Sequence, residues 1–115
     1  MKRIEENASF IKATSVAHPD QCKALLRTAK KNQLDAICEI LLNVVRGTVT
    51  LSDTVFTRAK RYKKVLRQLV AKCSNKSTRK ELMIKYFRII QTLLAATLPL
   101  IGVFFSGVQM YNSVS

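Results

Sequence analysis

The charged residues of this 115-residue chain are segregated along its length, and this segregation restricts the fold more than any other feature. Residues 1–57 contain eight basic and six acidic residues, whereas residues 58–88 contain twelve basic residues and one acid, Glu81. Residues 89–115 contain no charged side chain. Because a soluble domain usually intersperses its charges, this order of a nearly neutral start, a strongly basic middle and an apolar, charge-free end is informative.

The composition favours one folded domain over a disordered basic tail. The length suits a single domain, and 48% of the residues are hydrophobic, a fraction that disordered tails do not reach. Three cysteines are too few, and an odd number, for a disulfide scaffold. No secretory signal is visible, because Glu5 and Glu6 stand where its apolar region would begin. We therefore expect an intracellular protein with reduced cysteines.

Apolar residues recur at three- and four-residue steps, which predicts an all-α fold. We expect a small bundle of three to four helices, with a basic third helix and an apolar C-terminal helix. The predicted organisation is an N-terminal arm or short helix at 1–17, a basic helical domain at 18–88 and a charge-free segment at 89–115. The four helices are expected from about Pro19 to Lys30, from about Gln33 to Arg46, from Ser52 or Asp53 to about Cys73, and from Thr78 through Leu94 to a kink or end at Pro99.

Local signals mark where these helices start and stop. Pro19 suits the first helical position, and Gly47 supplies the left-handed residue that often ends a helix. Thr78 and Glu81 have the spacing of a capping box, which would start the fourth helix. The third helix has an apolar seam with alternating steps of four and three, formed by Val55, Ala59, Tyr62, Leu66, Leu69 and Cys73.

The residues that catalysis usually needs are scarce. His18 is the one histidine of the chain, and no cysteine has a suitable base nearby in sequence. Asp35 and Glu39 are predicted to lie on a solvated helix face. The cysteines have no zinc-ligand spacing, and Cys22 and Cys38 are expected to be buried. The sequence therefore predicts a non-enzymatic protein without a metal or cofactor.

The basic segment is the strongest functional signal in the sequence. Lys60, Lys64 and Arg67 fall on one stripe of the third helix, opposite its apolar seam. Clustered cations suit the phosphates of DNA or another polyanion, without selecting a base sequence. No exposed aromatic residue is predicted beside them, so single-strand recognition gains no support. The predicted nucleic-acid contacts are Lys60, Arg61, Lys63, Lys64 and Arg67, with Arg79 and Lys80 as additions.

The charge-free segment leaves alternatives open. Ile89–Val108 is long enough, as a helix, to cross a bilayer core, and Lys80, Lys85 and Arg88 precede it as a cytoplasmic flank would. The same residues could instead form the core of the bundle, or stay packed and insert into a membrane later. Gln91, Thr97 and Pro99 lower the hydrophobicity of the run.

Two strings resemble a family of small uncharacterised proteins encoded by Polinton/Maverick elements and adintoviruses, whose gene set is related to that of adenoviruses. Residues 43–51, NVVRGTVTL, are similar to a string NVLKGNVPL of the family, and residues 61–69, RYKKVLRQL, are similar to RHKKxLRxL at the same distance downstream. The resemblance covers roughly Leu34 to Lys85. Tyr62 stands where the family often has histidine, and the family's Gly-Gly-Phe before its apolar tail is absent. The resemblance implies a virion- or genome-associated accessory protein.

These observations lead to two main functional hypotheses. In the first, a small basic protein binds nucleic acid without sequence specificity in a virion or a host nucleus, and the third helix or the C-terminal segment mediates self-association. In the second, a membrane-associated protein inserts Ile89–Val108 while its basic patch lies on anionic headgroups. A helix-turn-helix regulator is a weaker third hypothesis, because its recognition helix would carry almost only phosphate-type contacts.

Overall fold

A computed structural model describes residues 2–47, 49–71 and 75–99 of the chain. Within these ranges every regular element is a helix, so the predicted all-α class is confirmed. The helices are α1 (Lys2–Glu6), α2 (Ala8–Val16), α3 (Pro19–Arg27), α4 (Lys31–Val45), α5 (Asp53–Arg61), α6 (Lys63–Val70), α7 (Lys76–Lys85) and α8 (87–99).

The described residues form eight helices rather than three or four, because single residues interrupt three longer ones. Asn7, Tyr62 and Tyr86 have φ of −109°, −107° and −110° and ψ of 16°, 21° and 33°. These angles lie close to the bridge region, outside the α-helical range. Helical hydrogen bonding resumes at once, since the carbonyls of these residues accept from the N–H groups of Ile11, Leu66 and Ile90. The predicted third helix is therefore α5 with α6, and the fourth is α7 with α8.

The first sixteen residues contribute to the core. Ile4 on α1 and Ile11 on α2 are buried, and they join the same cluster as residues of α4 and α8. Thr14 is buried as well, and its hydroxyl donates to the Phe10 carbonyl at 2.8 Å. The structure thus has two short helices in this region, and they pack against the rest of the bundle.

Helix α4 is the centre of the bundle. It packs against α1, α2, α6 and α7. Its predicted inward residues Leu34, Ile37, Cys38 and Leu41 are all buried. Gly47, at φ +73°, ends the turn that follows, as the sequence predicted.

The start of α7 differs from the prediction. Asn75 caps this helix, because its side-chain oxygen accepts from the backbone N–H of Thr78 at 2.7 Å. Thr78 therefore lies inside the first turn, and the predicted capping box of Thr78 and Glu81 is wrong. Ser52 does cap α5, as expected, by accepting from the N–H of Val55 at 3.4 Å.

The described part of the charge-free segment lies in the core. Ile89, Ile90, Leu93 and Leu94 of α8 are buried, and they contact the residues of the other helices within one cluster. Residues 100–108 of the predicted membrane segment lie outside the described residues. No helix within the described ranges has both the length and the hydropathy that a bilayer crossing requires.

Side chains of α7 and α8 cap the carboxyl ends of three other helices. Such ends carry carbonyl groups that have no partner inside their own helix. Arg79 donates to the Ala71 carbonyl, just after α6. Lys80 donates to the carbonyls of Arg27, the last residue of α3, and of Ala29 beyond it. Gln91 donates to the carbonyls of Thr14, in the last turn of α2, and of Ala17 beyond it.

Candidate nucleic-acid interface

The exposed cations of α5 and α6 form one surface, which we call the α5–α6 basic surface. All its members are exposed, and none has an ion pair or side-chain hydrogen bond within the described residues. The one acid of these two helices is Asp53, in the first turn of α5. The surface consists of five predicted residues, Lys60, Arg61, Lys63, Lys64 and Arg67, together with Arg58.

The apolar residues of the two helices turn these cations outward. Ala59, Leu66 and Leu69 are buried against the core, so the residues between them face solvent. The basic residues of α5 also lie in its last turn, where the helix dipole favours positive charge. The burial of the predicted apolar seam therefore places the basic surface on the opposite, exposed side of the two helices. Cys73, the last residue of that seam, lies outside the described residues.

The predicted single stripe is interrupted at Tyr62. Lys60 lies on α5 and Lys64 and Arg67 lie on α6, so they do not share one continuous helix. Tyr62 also departs from its predicted inward position, because 36% of its surface is exposed. The break thus divides the basic surface into two short helical segments.

A groove lies beside the basic surface, between α4 and the two basic helices. Its volume is about 220 Å³. The walls are mainly apolar, and Lys60 and Lys63 line it from opposite sides of the break. Its remaining lining residues are Val44, Val45, Leu51, Phe56, Ala59 and Leu66.

A second, shallower depression lies on α5 and is lined by charged and hydroxyl-bearing residues. Arg58 and Arg61 line it together with Thr54, Thr57 and Asp53. The Thr57 hydroxyl donates to the Asp53 carbonyl at 2.8 Å. Arg58 was not among the predicted contacts, although its three-residue step to Arg61 places the two on one helix face.

Two aromatic side chains are exposed on the basic helices, contrary to the prediction. Phe56 on α5 is 56% exposed, and Tyr62 follows it at the break. Phe56 falls immediately after Val55 of the predicted seam and therefore outside the buried stripe. That offset was visible in the sequence and could have identified Phe56 as an exposed residue.

Arg79 does not belong to this surface. Its side chain is 17% exposed and donates to the Asp35 carboxylate at 3.0 Å and to the Ala71 carbonyl at 3.1 Å. Asp35 is correspondingly 13% exposed and also accepts from Lys31, so its predicted place on a solvated face is wrong. Asp35 and Arg79 connect α4 to α7. The Nε of Arg79 has no hydrogen-bond partner among the described residues, but it is buried and therefore not accessible to a phosphate.

Lys80 is likewise engaged within the protein. Its ammonium donates to the Arg27 carbonyl at 2.7 Å and to the Ala29 carbonyl at 3.1 Å. Its charge therefore interacts with the negative end of α3. We accordingly leave Arg79 and Lys80 out of the candidate interface.

The described cysteines are buried in the core. Burial raises the pKa of the Cys22 thiol. Burial also raises the pKa of Cys38 from 9.0 to about 11, although the nearby Arg79 charge opposes this shift. The Cys38 thiol donates to the Leu69 carbonyl at 3.3 Å. Cys73 lies outside the described residues, and within them no group of three metal-binding side chains occurs.

No family model, curated protein or solved structure matches the chain.

Proposed function

We propose that the chain is a small, non-enzymatic basic protein that binds nucleic acid through the α5–α6 basic surface without sequence specificity. The observation that supports this proposal is the exposure of six neighbouring cations that have no acidic partner in the described structure. Like charges held together on a surface repel one another, and a polyanion relieves that repulsion. Each phosphate contact also releases counterions, which favours binding at low salt.

The resemblance to proteins of Polinton/Maverick elements and adintoviruses supports a role on a genome or in a virion. Such a setting needs binding that tolerates any sequence. Lys and Arg contacts to phosphates meet this need because they position a protein on nucleic acid without reading bases.

The salt dependence of DNA binding tests the proposal. We expect the triple variant Lys60→Ala, Lys64→Ala, Arg67→Ala to lower the slope of log K against log salt by about two to three, if each residue contacts one phosphate. The matched control is Lys12→Ala, Arg27→Ala, Lys30→Ala, which removes the same residue types from exposed positions outside α5 and α6.

The two triple variants separate local contacts from overall charge. Both remove three positive charges from a chain of net charge +13. A reduced slope in the first variant alone would support the α5–α6 basic surface. Equal reductions would show that net charge alone drives binding, and an unchanged slope in both would refute the proposal.

The membrane hypothesis requires a different result. Insertion of residues 89–108 would first have to remove Ile90, Leu93 and Leu94 from the core. Flotation with anionic vesicles at high salt and with competing DNA distinguishes the two hypotheses. Association that survives both conditions would favour insertion, whereas release by either would favour an electrostatic surface.

A further inference from the structure

The α5–α6 basic surface combines exposed cations with an exposed aromatic ring. Phe56 is 56% exposed, and it lines the same groove as Lys60 and Lys63. Lys60 is four residues from Phe56 on one helix, so their Cβ atoms are about 5–6 Å apart. Single-strand binding uses bases on aromatic rings and phosphates on cations. The exposed phenyl ring of Phe56 provides the first, and two ammonium groups with no partner among the described residues provide the second.

The groove provides an apolar surface next to that ring. Val44, Val45 and Leu51 line it, and its volume of about 220 Å³ is small. At about 30 Å³ per molecule, this volume corresponds to roughly seven liquid waters. A flat base fits an apolar site of this size better than a bulky ligand does.

The cations extend beyond the groove in both directions. Arg58 and Arg61 line the second depression on α5, and Lys64 and Arg67 continue along α6. Asp53, at the rim of that depression, is the one opposing charge of the two helices. A ligand with regularly repeated negative charge can contact the whole series, whereas an acidic peptide short enough for the groove would reach only Lys60 and Lys63.

We propose that the α5–α6 basic surface prefers single-stranded nucleic acid to duplex, with an unpaired base stacked on Phe56 and neighbouring phosphates on Lys60 and Lys63. The inference rests on the proposed nucleic-acid function and specifies its substrate. A duplex keeps its bases paired and stacked, so it can use the cations but not the ring.

Binding of the full chain to labelled oligothymidine and to a duplex of equal length tests this inference. Roughly 12 nucleotides is within the range that single-strand sites cover. We expect tighter binding to the single strand. Phe56→Ala should weaken it by roughly 5- to 150-fold, the range that loss of one stacked base produces, and leave duplex binding unchanged.

Two further substitutions separate stacking from packing. Phe56→Tyr keeps an aromatic face and should retain single-strand binding, whereas Phe56→Leu keeps apolar volume and should lose it. Val16→Ala, at an apolar position that is 73% exposed on α2, is the control for surface hydrophobicity. Circular dichroism checks that each variant keeps its helices.

The outcomes distinguish this inference from the proposed function. If Phe56→Ala leaves single-strand binding intact while the triple variant of Lys60, Lys64 and Arg67 weakens it, the stacking inference fails and the basic surface stands. If neither variant changes binding, both fail. Binding of an acidic apolar peptide that depends on Phe56, together with oligothymidine binding that does not, would reassign the groove to a peptide and overturn the inference.

Discussion

The rings of Tyr62 and Tyr86 meet edge to face, with their centroids 5.9 Å apart and their planes at 66°. Each tyrosine is the single residue that separates two helices, α5 from α6 and α7 from α8. Their backbone angles are nearly the same. The contact therefore joins the interruption in the basic helices to the interruption in the C-terminal helices.

A double-mutant cycle measures this contact. We expect Tyr62→Leu and Tyr86→Leu to destabilise the fold non-additively, with a coupling of about 0.5–1.5 kcal/mol from the lost aromatic pair. The free energy of unfolding in urea is the measurement. Val16→Ala combined with Tyr86→Leu is the control cycle and should be additive. Additivity in both cycles would show that the ring contact contributes nothing to stability.

Arg79 should matter for stability and not for nucleic-acid binding. Arg79→Met leaves Asp35, which is mostly buried, without the guanidinium and removes the hydrogen bond to the Ala71 carbonyl. We expect a loss of about 2–4 kcal/mol, near the lower end for a broken buried pair. Urea unfolding measures the loss.

Lys31, the other cation that pairs with Asp35, is the comparison for Arg79. Lys31 pairs with the same carboxylate but is 77% exposed, so Lys31→Ala should cost no more than about 1 kcal/mol. The salt slope of DNA binding should not change in Arg79→Met. A slope lowered by about one would make Arg79 a phosphate contact, as the sequence predicted.

The raised pKa of the Cys38 thiol predicts that the fold loses stability at alkaline pH. Its pKa is raised from 9.0 to about 11 by burial, so between these values the folded chain keeps a proton that the unfolded chain releases. The free energy of unfolding should therefore be unaffected by this group below pH 9.0 and fall as pH rises toward about 11. At about 1.4 kcal/mol per pH unit, the total is about 2–3 kcal/mol.

Cys38→Ala is the variant that isolates this effect. Its free energy of unfolding should be lower near neutral pH, because the thiol packing and the hydrogen bond to Leu69 are lost. Its decline between pH 9.0 and about 11 should be shallower than that of the unaltered chain. Lysine and tyrosine titrations occur in both chains and cancel in the comparison. If the two chains lost stability in parallel as pH rises, the Cys38 thiol would not be the cause of the loss.

Replacing the Gln91 amide with a carboxylate should destabilise the fold, because it exchanges a hydrogen-bond donor for an acceptor. Its amide donates to the Thr14 carbonyl at 3.0 Å and to the Ala17 carbonyl at 2.8 Å. Gln91→Glu has nearly the same shape, but its carboxylate faces two carbonyl oxygens and cannot donate when ionised. We expect a loss of about 1–3 kcal/mol at neutral pH, much of it recovered when the carboxyl group is protonated.

The reverse exchange at an exposed site controls for the change of charge. Glu81 on α7 is exposed. Glu81→Gln should change the free energy of unfolding by no more than about 0.5 kcal/mol at any pH. If Gln91→Glu were equally harmless, the amide would not be a cap for α2.

The sequence predicted the parts of this fold that depend on periodicity. The buried faces of α3 and α4 follow from Cys22, Leu26, Leu34 and Leu41 at helical steps, and they are present in the structure. The outward direction of Lys60, Arg61, Lys63, Lys64 and Arg67 follows from the same rule.

Tertiary contacts decided what periodicity could not. Tyr62 has the spacing of a core residue, but the helix breaks there and its ring meets Tyr86. Arg79 and Lys80 look like surface cations in sequence, and only the positions of α3, α4 and α6 show that they bond carbonyls and a carboxylate inside the protein. Charge counting alone cannot distinguish a cation that caps a helix from one that binds a phosphate.

The capping of α2, α3 and α6 by later residues has a consequence for synthesis on the ribosome. Gln91, Lys80 and Arg79 all emerge after the helices whose ends they complete. Until these residues are synthesised, the carbonyl groups at the helix ends lack their side-chain donors. The core of the nascent chain also lacks Ile90, Leu93 and Leu94. Stable packing must therefore await translation of α8, so the basic helices leave the ribosome before the bundle that positions them can form.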